Sequence, residues 1–395
     1  MVLSVATIGI AGCDTAAKER PAYVVSDSAG IEIVESLAVP PSWTLAEPPF
    51  LDIGTAGGPV EAQLHNVSDA KRIDHDRYLI ANGGSYEVRE YNARGRMVRS
   101  FGGEGEGPGE FRSIDVLILA NDTLVVFDRQ LRRVSTFSLA GQFLWSATLE
   151  GTGAGLAGSP HRAPDGSYIA GWTTSTAITR ADSGLAKAGD VVRGQVLLIR
   201  HEPSGQIADT LGAFPGNEEG LIQSGGSAAS TRAPFALGFS LATWAERIVV
   251  GTQERFELRL YDGSVLGRLI RVANPDSLVT PARFRELVDR LVSQAPTPGL
   301  AEFVADTPEP RNAVAPAYGQ LLVGTDGRLW VAESTFWYLT ARRWHVFDAS
   351  GRRIAMVYLP ERFRLLDAGV NYVLGVWRDH LDVEHVQAFE LSAGS

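Results

Sequence analysis

Basic and imidazole side chains recur at one kind of position in this sequence, the segment that leads into a short apolar run. They are His65, Arg112, His161, Arg162, Arg232, Arg311 and Arg364. If these runs are the innermost strands of a closed β-structure, the side chains should converge at one mouth of its central channel. A cationic ring there would bind a carboxylate, a phosphate or an acidic peptide by charge-assisted hydrogen bonds. The alternative interpretation is that they spread over opposite faces, because arginine is common in loops.

Two further side chains could contribute to a metal-dependent enzyme. Asp115 and Asn66 offer oxygen ligands of the kind that a divalent cation prefers, and both lie just before apolar runs. The segments Asp74 to Asp76 and His380 to His385 are richer in ligand types, but their pattern places them in or beside polar turns between strands. A divalent metal in the channel is therefore an open alternative, with no ligand set identified.

Motifs and charge disfavour other classes of function. The sequence has no Gly-x-Ser-x-Gly elbow, no phosphate-binding Gly-Lys-Ser/Thr loop and no His-Glu-x-x-His pair. The glycine-rich run Gly102 to Gly109 lacks the lysine and the following helix that a nucleotide site requires. The formal net charge of -10 argues against general nucleic-acid binding, which depends on Lys and Arg neutralising phosphates.

The position of the single cysteine, Cys13, is informative. It follows a weakly apolar run, and the segment Ile10-Ala11-Gly12-Cys13 resembles the lipobox of bacterial lipoproteins. The resemblance implies lipidation of the Cys13 thiol and a membrane contact made through that anchor alone. No Lys or Arg precedes Cys13, whereas signal peptides normally begin with a positive segment. The alternative interpretation is a short hydrophobic N-terminus with a buried thiol.

Paired apolar runs joined by polar turns repeat along the chain and predict an all-β fold. Asp76 and Asp122 lie in two such turns, and Gly95 and Gly141 lie in the turns that follow them. The members of each pair are 46 positions apart (122 minus 76, 141 minus 95), close to the roughly 40–50 residues of one propeller blade. Each glycine turn leads into one more apolar run, so the repeat contains four strands.

The joint between repeats resembles the NHL-type repeat of six-bladed β-propellers. It reads Gly107-Pro108-Gly109-Glu110-Phe111 and is followed by apolar runs at Val125 to Asp128 and Val134 to Phe137. We expect five internal repeats and a sixth blade that strands from both ends of the chain complete. Asp27 to Glu35 should supply its fourth strand and the C-terminus the other three, which removes the exposed edge of an open sheet.

One segment departs from the strand pattern. From Thr280 to Gln294 the apolar residues follow helical spacing, and Pro281 suits the first helical position. We expect one short surface helix at about 280–294, inserted between the fourth and fifth blades. The Pro-rich stretch Pro296 to Pro316 should return the chain along the surface or cover one face. Gly151 to Ser159 and Gly216 to Ala233 are expected to be long polar loops.

These features divide the chain into a lipoprotein signal peptide (residues 1–13), a tether (14–26) and one propeller (27–395). The leading interpretation is an exported cell-envelope lipoprotein, periplasmic or at the cell surface. It would present a propeller face to a protein, a peptide, a glycan or a small anionic ligand. The alternative is a metal-dependent hydrolase or lyase with its site in the central channel, since six-bladed propellers that resemble this chain include such enzymes.

Overall fold

The computed structural model describes residues 21–152, 155–175, 184, 190–224, 227–232, 235–273, 280–295, 298–305, 315–334 and 340–393. These residues are mostly β-structure, with two α-helices and one short 3₁₀ helix at Val60–Ala62. Neither α-helix has the length and apolar composition that crossing a membrane requires.

The strands form an N-terminal arm and a series of antiparallel sheet units. The arm contains β1 (Tyr23–Ser28), β2 (Ile31–Ser36), β3 (Ser42–Leu45) and β4 (Leu51–Ile53). The first unit contains β5 (Val67–Arg72), β6 (Arg77–Asn82), β7 (Glu87–Asn92) and β8 (Met97–Gly102). The second contains β9 (Val116–Ala120), β10 (Thr123–Asp128), β11 (Arg133–Ser138) and β12 (Phe143–Thr148). In both units the strands lie in chain order.

The third and fourth units belong to six-stranded sheets, and β1 and β2 of the N-terminal arm extend the sheet of the fourth unit. The third contains β13 (Gly155–Leu156), β14 (His161–Arg162), β15 (Tyr168–Ser175), β16 (Val191–His201), β17 (Ile207–Ser224) and β18 (Ser227–Thr231). Both β13 and β14 pair with β15. The fourth contains β19 (Ser240–Trp244), β20 (Arg247–Gly251), β21 (Glu257–Asp262) and β22 (Val265–Val272). Two helices follow it, α1 (Pro281–Ser293) and α2 (Pro298–Ala305).

The last two units complete the chain. The fifth contains β23 (Leu321–Val323), β24 (Leu329–Ala332), β25 (Arg343–Phe347) and β26 (Arg353–Tyr358). The sixth contains β27 (Phe363–Gly369), β28 (Tyr372–Arg378) and β29 (Glu384–Ser392), and β4 of the N-terminal arm pairs with β29. The strand β3 joins the two units, because it pairs with β26 on one side and β29 on the other.

Most of the apolar core lies in layers between neighbouring units. One buried cluster joins the first unit to the second, and comparable clusters join second to third, third to fourth, fourth to fifth and fifth to sixth. A further cluster joins the sixth unit back to the first, where Leu51 and Ile53 pack with Tyr78 and Tyr91. The first strands of these units contact one another around a common centre, for example β27 with β5 and β5 with β9. Four-stranded sheets packed face to face in this cyclic order are the architecture of a β-propeller.

The glycine turns predicted from the sequence repeat are turns in the structure. Gly95 and Gly141 adopt left-handed backbone conformations with φ of 70° and 83°. Each closes the turn before the last strand of its unit, and each donates its N–H to a carbonyl 2.9 Å away, that of Asn92 or Ser138. Glycine reaches this conformation without the steric cost that a Cβ atom brings. The spacing of 46 residues therefore corresponds to one sheet unit.

The strand that completes the sixth unit differs from the expected one. Asp27 to Glu35 forms the end of β1 and most of β2, and β2 runs parallel to β22 on the outer edge of the fourth unit, with Ile33 opposite Leu269. The closing strand is β4, in which Ile53 pairs with Val386 and is only 3% exposed. The apolar run of β2 covers a different edge because the arm passes the fourth and fifth units before it reaches the sixth.

Three other expectations need correction or extension. Tyr23 to Ser26, at the end of the predicted tether (14–26), lie in β1 and pair with β2. Gly216 to Ala233 is a hairpin and not a polar loop over most of its length, since Gly220 of β17 pairs with Thr231 of β18. The predicted helix at about 280–294 is confirmed as α1, but a second helix, α2, occupies part of the stretch expected to be irregular. Leu291 of α1 and Val304 of α2 pack together.

Candidate functional site

The first strands of the units border a central cavity. The continuous space of about 2420 Å³ also extends beyond these strands to residues of β25, β26 and β28. Every unit contributes to its wall, with Ser68, Leu117, His161, Leu241, Leu322 and Leu365 as one lining residue each. A cavity that reaches all the units at their innermost strands is the central channel that the sequence analysis anticipated. It is far larger than the 300–1,000 Å³ typical of small-molecule pockets, so a ligand would occupy part of it.

The helix α1 covers part of the cavity at the end where the first strands begin. Leu287 and Leu291 of its apolar face line the cavity, as do the polar residues Glu286 and Arg290. The ring of Phe284 lies 5.6 Å from that of Phe235, a residue shortly before β19. The helix α1, in the segment between the fourth and fifth units, thus contributes to the wall of the cavity.

The predicted cationic residues divide into two groups. His161, Arg162, Arg232 and Arg364 line the cavity. His65 and Arg112 are exposed and do not line it. Arg311 lies outside the described residues.

The surroundings of Arg112 explain why it does not join the others. Its guanidinium forms ion pairs with Glu104 at 3.6 Å and Glu106 at 3.2 Å. Both glutamates belong to the glycine-rich joint before the second unit, which holds the arginine on the surface. The positive charge of Arg112 is compensated locally, so this residue adds little to the potential in the channel.

The cavity-lining members of the set differ in charge. Burial lowers the pKa of His161 to about 4, so its imidazole is neutral at pH 7. Burial also lowers the pKa of Arg232 and of Arg364 from 12.5, but an arginine remains charged at neutral pH. Arg364 donates hydrogen bonds to the carbonyls of Ser68, at 3.0 Å, and Val67, so part of its role is to bridge β27 and β5.

Arg232 is the least engaged of these arginines. Its one side-chain hydrogen bond within the described residues goes to the carbonyl of Ala236, at 3.5 Å, and no described carboxylate pairs with it. Arg162 likewise has no described carboxylate partner, and its buried Nε–H lacks a hydrogen-bond acceptor there. Arg232 can therefore interact with an anion in the cavity without first breaking an ion pair, whereas the guanidinium of Arg162 lies beside the turn at Gly166.

A buried ionic network crosses the cavity wall between the sixth, first and second units. Lys71 lies 3.1 Å from Asp69, whose other oxygen accepts a hydrogen bond from the Leu117 N–H at 2.8 Å. Asp367 accepts one from the Tyr372 hydroxyl at 2.7 Å. Burial raises the pKa of Asp367, while the nearby carboxylates outweigh burial and raise that of Lys71. These carboxylates connect first strands to one another, which favours a structural role over a catalytic one.

Charged residues along the cavity show an excess of positive charge. The described cations that line it are Lys71, Arg162, Arg232, Arg290, Arg342, Arg343, Arg353, Arg362, Arg364 and Arg378. The described acids that line it are Asp69, Asp115, Glu286, Glu333, Glu361, Asp367 and Asp382. Ten cations against seven acids give the cavity the opposite sign to the molecule, whose net charge is -10.

The side chains considered for a metal are engaged elsewhere. Asp115 pairs with Arg129 at 3.0 Å and accepts a hydrogen bond from Ser113 at 2.7 Å. Asn66 is exposed, and Asp74 binds Arg77 within its turn. Across the residues that the structure describes, no three His, Cys, Asp or Glu side chains cluster closely enough to hold a metal ion. These residues therefore do not fit the metal site expected for the enzymatic alternative.

Sequence reasoning missed the basic residues of the fifth unit. Arg343 and His345 on β25 and Arg353 on β26 all line the cavity. They were overlooked because they lie within strands and not in the segments that lead into them. The usable signal was the alternation of Arg343 and His345, which places two basic side chains on the same face of one strand.

The sequence matches no model of a known protein family and no curated protein. Among solved structures, a candidate exported protein of Bacteroides fragilis is 11% identical with a TM-score of 0.48, covering 92% of this chain and 100% of that one. A DUF4221 family member of Bacteroides vulgatus is 9% identical with a TM-score of 0.44, covering 89% and 99%. An aldose sugar dehydrogenase of Streptomyces coelicolor is 14% identical with a TM-score of 0.41, covering 87% and 100%. Similarity at this level transfers no activity to this chain.

Proposed function

We propose that this chain is an exported, six-bladed β-propeller that binds an anionic ligand in its central cavity. The observation that carries the proposal is the placement of Arg162, Arg232 and Arg364 on one cavity without a described carboxylate partner. They come from the third unit, the segment between the third and fourth units, and the sixth unit. Arginine binds carboxylate and phosphate groups through paired, charge-assisted hydrogen bonds. A ligand that supplies such groups would compensate the excess positive charge.

The six-blade assignment is supported by the order of the core layers. Each unit packs on the next, and the layer between the sixth unit and the first contains residues from β4 near one end of the described chain and from β29 near the other. A ring closed in this way leaves no open edge at the junction of the chain ends. The central cavity follows from the ring, because the first strands face its axis.

Export and membrane anchoring are proposed on the N-terminal sequence. Cys13 lies outside the described residues, and the support is the lipobox-like segment from Ile10 to Cys13. A lipidated Cys13 would place the propeller at a membrane of the cell envelope. Incorporation of radiolabelled fatty acid tests this proposal, with Cys13→Ala as the control. Equal labelling of the variant would exclude Cys13 as the site of acylation.

Thermal shift measurements test the binding proposal. The probes are citrate, inorganic phosphate and tetraglutamate, with calcium chloride as the arm that tests a metal requirement. A ligand present at about 100 times its Kd adds roughly 2.7 kcal/mol to the stability of the folded state. We expect at least one anion to raise the melting temperature of the wild type by a few degrees.

Two arginine variants distinguish cavity binding from a general charge effect. Arg232→Gln removes a positive charge from the cavity, and Arg112→Gln removes one from the surface. The anion-dependent shift should fall in Arg232→Gln and persist in Arg112→Gln. An equal shift in both variants would mean that the anion binds outside the cavity. Stabilisation by calcium alone would favour the metal-dependent alternative.

A further inference from the structure

A second group of basic side chains lies where the fourth and fifth units meet. Arg343 and His345 extend from the same face of β25, and one terminal nitrogen of Arg353 lies 3.4 Å from His345 Nδ1. These residues line a lateral part of the cavity together with Val272 and Ala38. The cluster is separate in the fold from Arg162, Arg232 and Arg364, which belong to other units.

Positive charge in this cluster is only partly compensated. Glu333 lies 3.4 Å from Arg343, and among the described residues no carboxylate pairs with Arg353. Burial, Arg353 and Arg343, in that order, lower the pKa of His345 to about 3. Burial and Arg343 likewise lower the pKa of Arg353. Two guanidinium groups therefore repel each other across a neutral imidazole.

Hydrogen-bond donors in the cluster remain available. One terminal nitrogen of Arg353 donates to the Ala38 carbonyl at 2.6 Å, and its Nε–H is buried without a partner in the described residues. Because neutral His345 accepts a hydrogen bond at Nδ1, its proton lies on Nε2, which is a donor. Phe256 of the fourth unit packs edge-on against the imidazole ring at 5.2 Å and adds no charge. Hydrogen-bond donors that lack acceptors, next to positive charge that no carboxylate compensates, are the features of an anion-binding site.

We propose that Arg343, His345 and Arg353 form an oxyanion-binding site for a carboxylate or phosphate group. The site goes beyond the proposed function, because it is built from residues that the first site does not use. A bound oxyanion would accept hydrogen bonds from Arg353 and His345 and would relieve the repulsion between the two arginines. Its negative charge would also favour protonation of His345, so the pKa of His345 should be higher in the bound state than in the free one.

Sulfate is the probe for this site, since it is the anion of a strong acid and keeps its charge over the acidic range in which His345 titrates. Isothermal titration of the full chain should show that Arg353→Gln weakens sulfate binding by roughly tenfold. Arg353→Lys retains the positive charge but lacks the planar set of donors. Its sulfate affinity should therefore lie between those of Arg353→Gln and wild type. Arg96→Gln, which removes an exposed arginine from a turn of the first unit, should bind sulfate like wild type.

Histidine NMR gives a readout that a purely structural role of Arg353 would not affect. With ¹³C-labelled histidine and His345→Gln to assign the signal, saturating sulfate should raise the apparent pKa of His345 by about one pH unit. An unchanged His345 pKa in saturating sulfate would overturn the proposal. So would sulfate affinity within about twofold of wild type in a folded Arg353→Gln variant.

Two further sets of measurements distinguish this inference from the proposed function. Phosphate and propionate, titrated separately, identify whether a phosphate or a carboxylate is preferred, and binding of neither would contradict the site. Arg232→Gln should leave the sulfate effect on His345 intact. If Arg232→Gln weakens anion binding while Arg353→Gln has no effect, this inference fails and the proposed function stands. The reverse result would retain this site and reject the first.

Discussion

Arg112 and Arg232 occupy equivalent places in the sequence, each in the segment before the first strand of a unit, but they meet different surroundings. Two nearby glutamates pair with Arg112 on the surface, whereas Arg232 lies on the cavity with only a long hydrogen bond to a backbone carbonyl. Residue type and position therefore identify candidates for a site. Whether a candidate is available to a ligand depends on which charges its loop places beside it.

His161 gives a prediction for stability at low pH. Its pKa of about 4 in the folded protein lies below the ordinary 6.5, so the unfolded chain binds more protons between these values. The stabilisation that His161 provides is complete above pH 6.5 and is lost progressively as pH falls from 6.5 to about 4. After allowing for its partial exposure, we expect a loss of roughly 2 kcal/mol from this group.

Urea unfolding at pH 7 and pH 4 checks this prediction. His161→Gln should lose roughly 2 kcal/mol less stability than wild type between the two conditions. His75→Gln is the matched control, because His75 is exposed in a turn, and it should lose as much as wild type. A His161→Gln variant with the full wild-type loss would be incompatible with a buried neutral imidazole.

Asp69 provides a prediction about the buried network. Asp69→Asn leaves Lys71 in the cavity wall without its ion-pair partner, which should destabilise the fold by about 3 kcal/mol. Asp122→Asn in an exposed turn should change stability by less than about 0.5 kcal/mol. The double variant Asp69→Asn/Lys71→Met should recover part of the lost stability, since it removes the unpaired charge of Lys71. A double variant no more stable than Asp69→Asn would assign the cost to lost hydrogen bonds instead.

The elements were largely predictable from sequence, but the pairing of the N-terminal arm was not. Alternating apolar residues identified both β2 and the C-terminal strands, because each buries one face of a sheet. Two short apolar segments, β2 and β4, could each have completed the sixth unit. The alternation of apolar residues does not by itself show which of them pairs there. The decisive signal was present: Ile53-Gly54 occupies the same place before its joint as Phe101-Gly102, which ends the first unit.

The closing strand can be tested by a single substitution. Ile53→Ala in β4 removes a side chain buried between the sixth and first units and should cost about 3 kcal/mol. Val25→Ala in β1, where the side chain is 49% exposed, is the control and should cost less than about 0.5 kcal/mol. Urea unfolding measures both. Equal effects would mean that β4 contributes no more than the exposed edge strand.

The helical segment shows a second limit of sequence reasoning. The spacing of Phe284, Leu287 and Leu291 predicted α1, but not where its apolar face would pack. That face meets Phe235, α2 and the cavity, contacts between segments far apart in sequence. Amphipathic pattern identifies a helix, while tertiary packing determines what it covers.

The whole molecule combines a negative net charge with a positive cavity. With a net charge of -10, the protein as a whole should repel anions at long range. Inside the cavity, the lining arginines outnumber the acids, and desolvation strengthens their interaction with an oppositely charged group. The sequence predicted this contrast only in outline, because two of its candidate cations are exposed and two of the cavity cations, Arg343 and Arg353, lie in strands of the fifth unit.

The most direct test of the central claim compares two peptides of opposite charge. Tetraglutamate and tetralysine are titrated separately into the full chain at low and moderate salt by isothermal calorimetry. If the cavity is the binding site, tetraglutamate binds, its affinity falls as salt rises, and Arg232→Gln weakens it; tetralysine does not bind. Binding of tetralysine alone, as the net charge of the molecule would favour, would contradict the account.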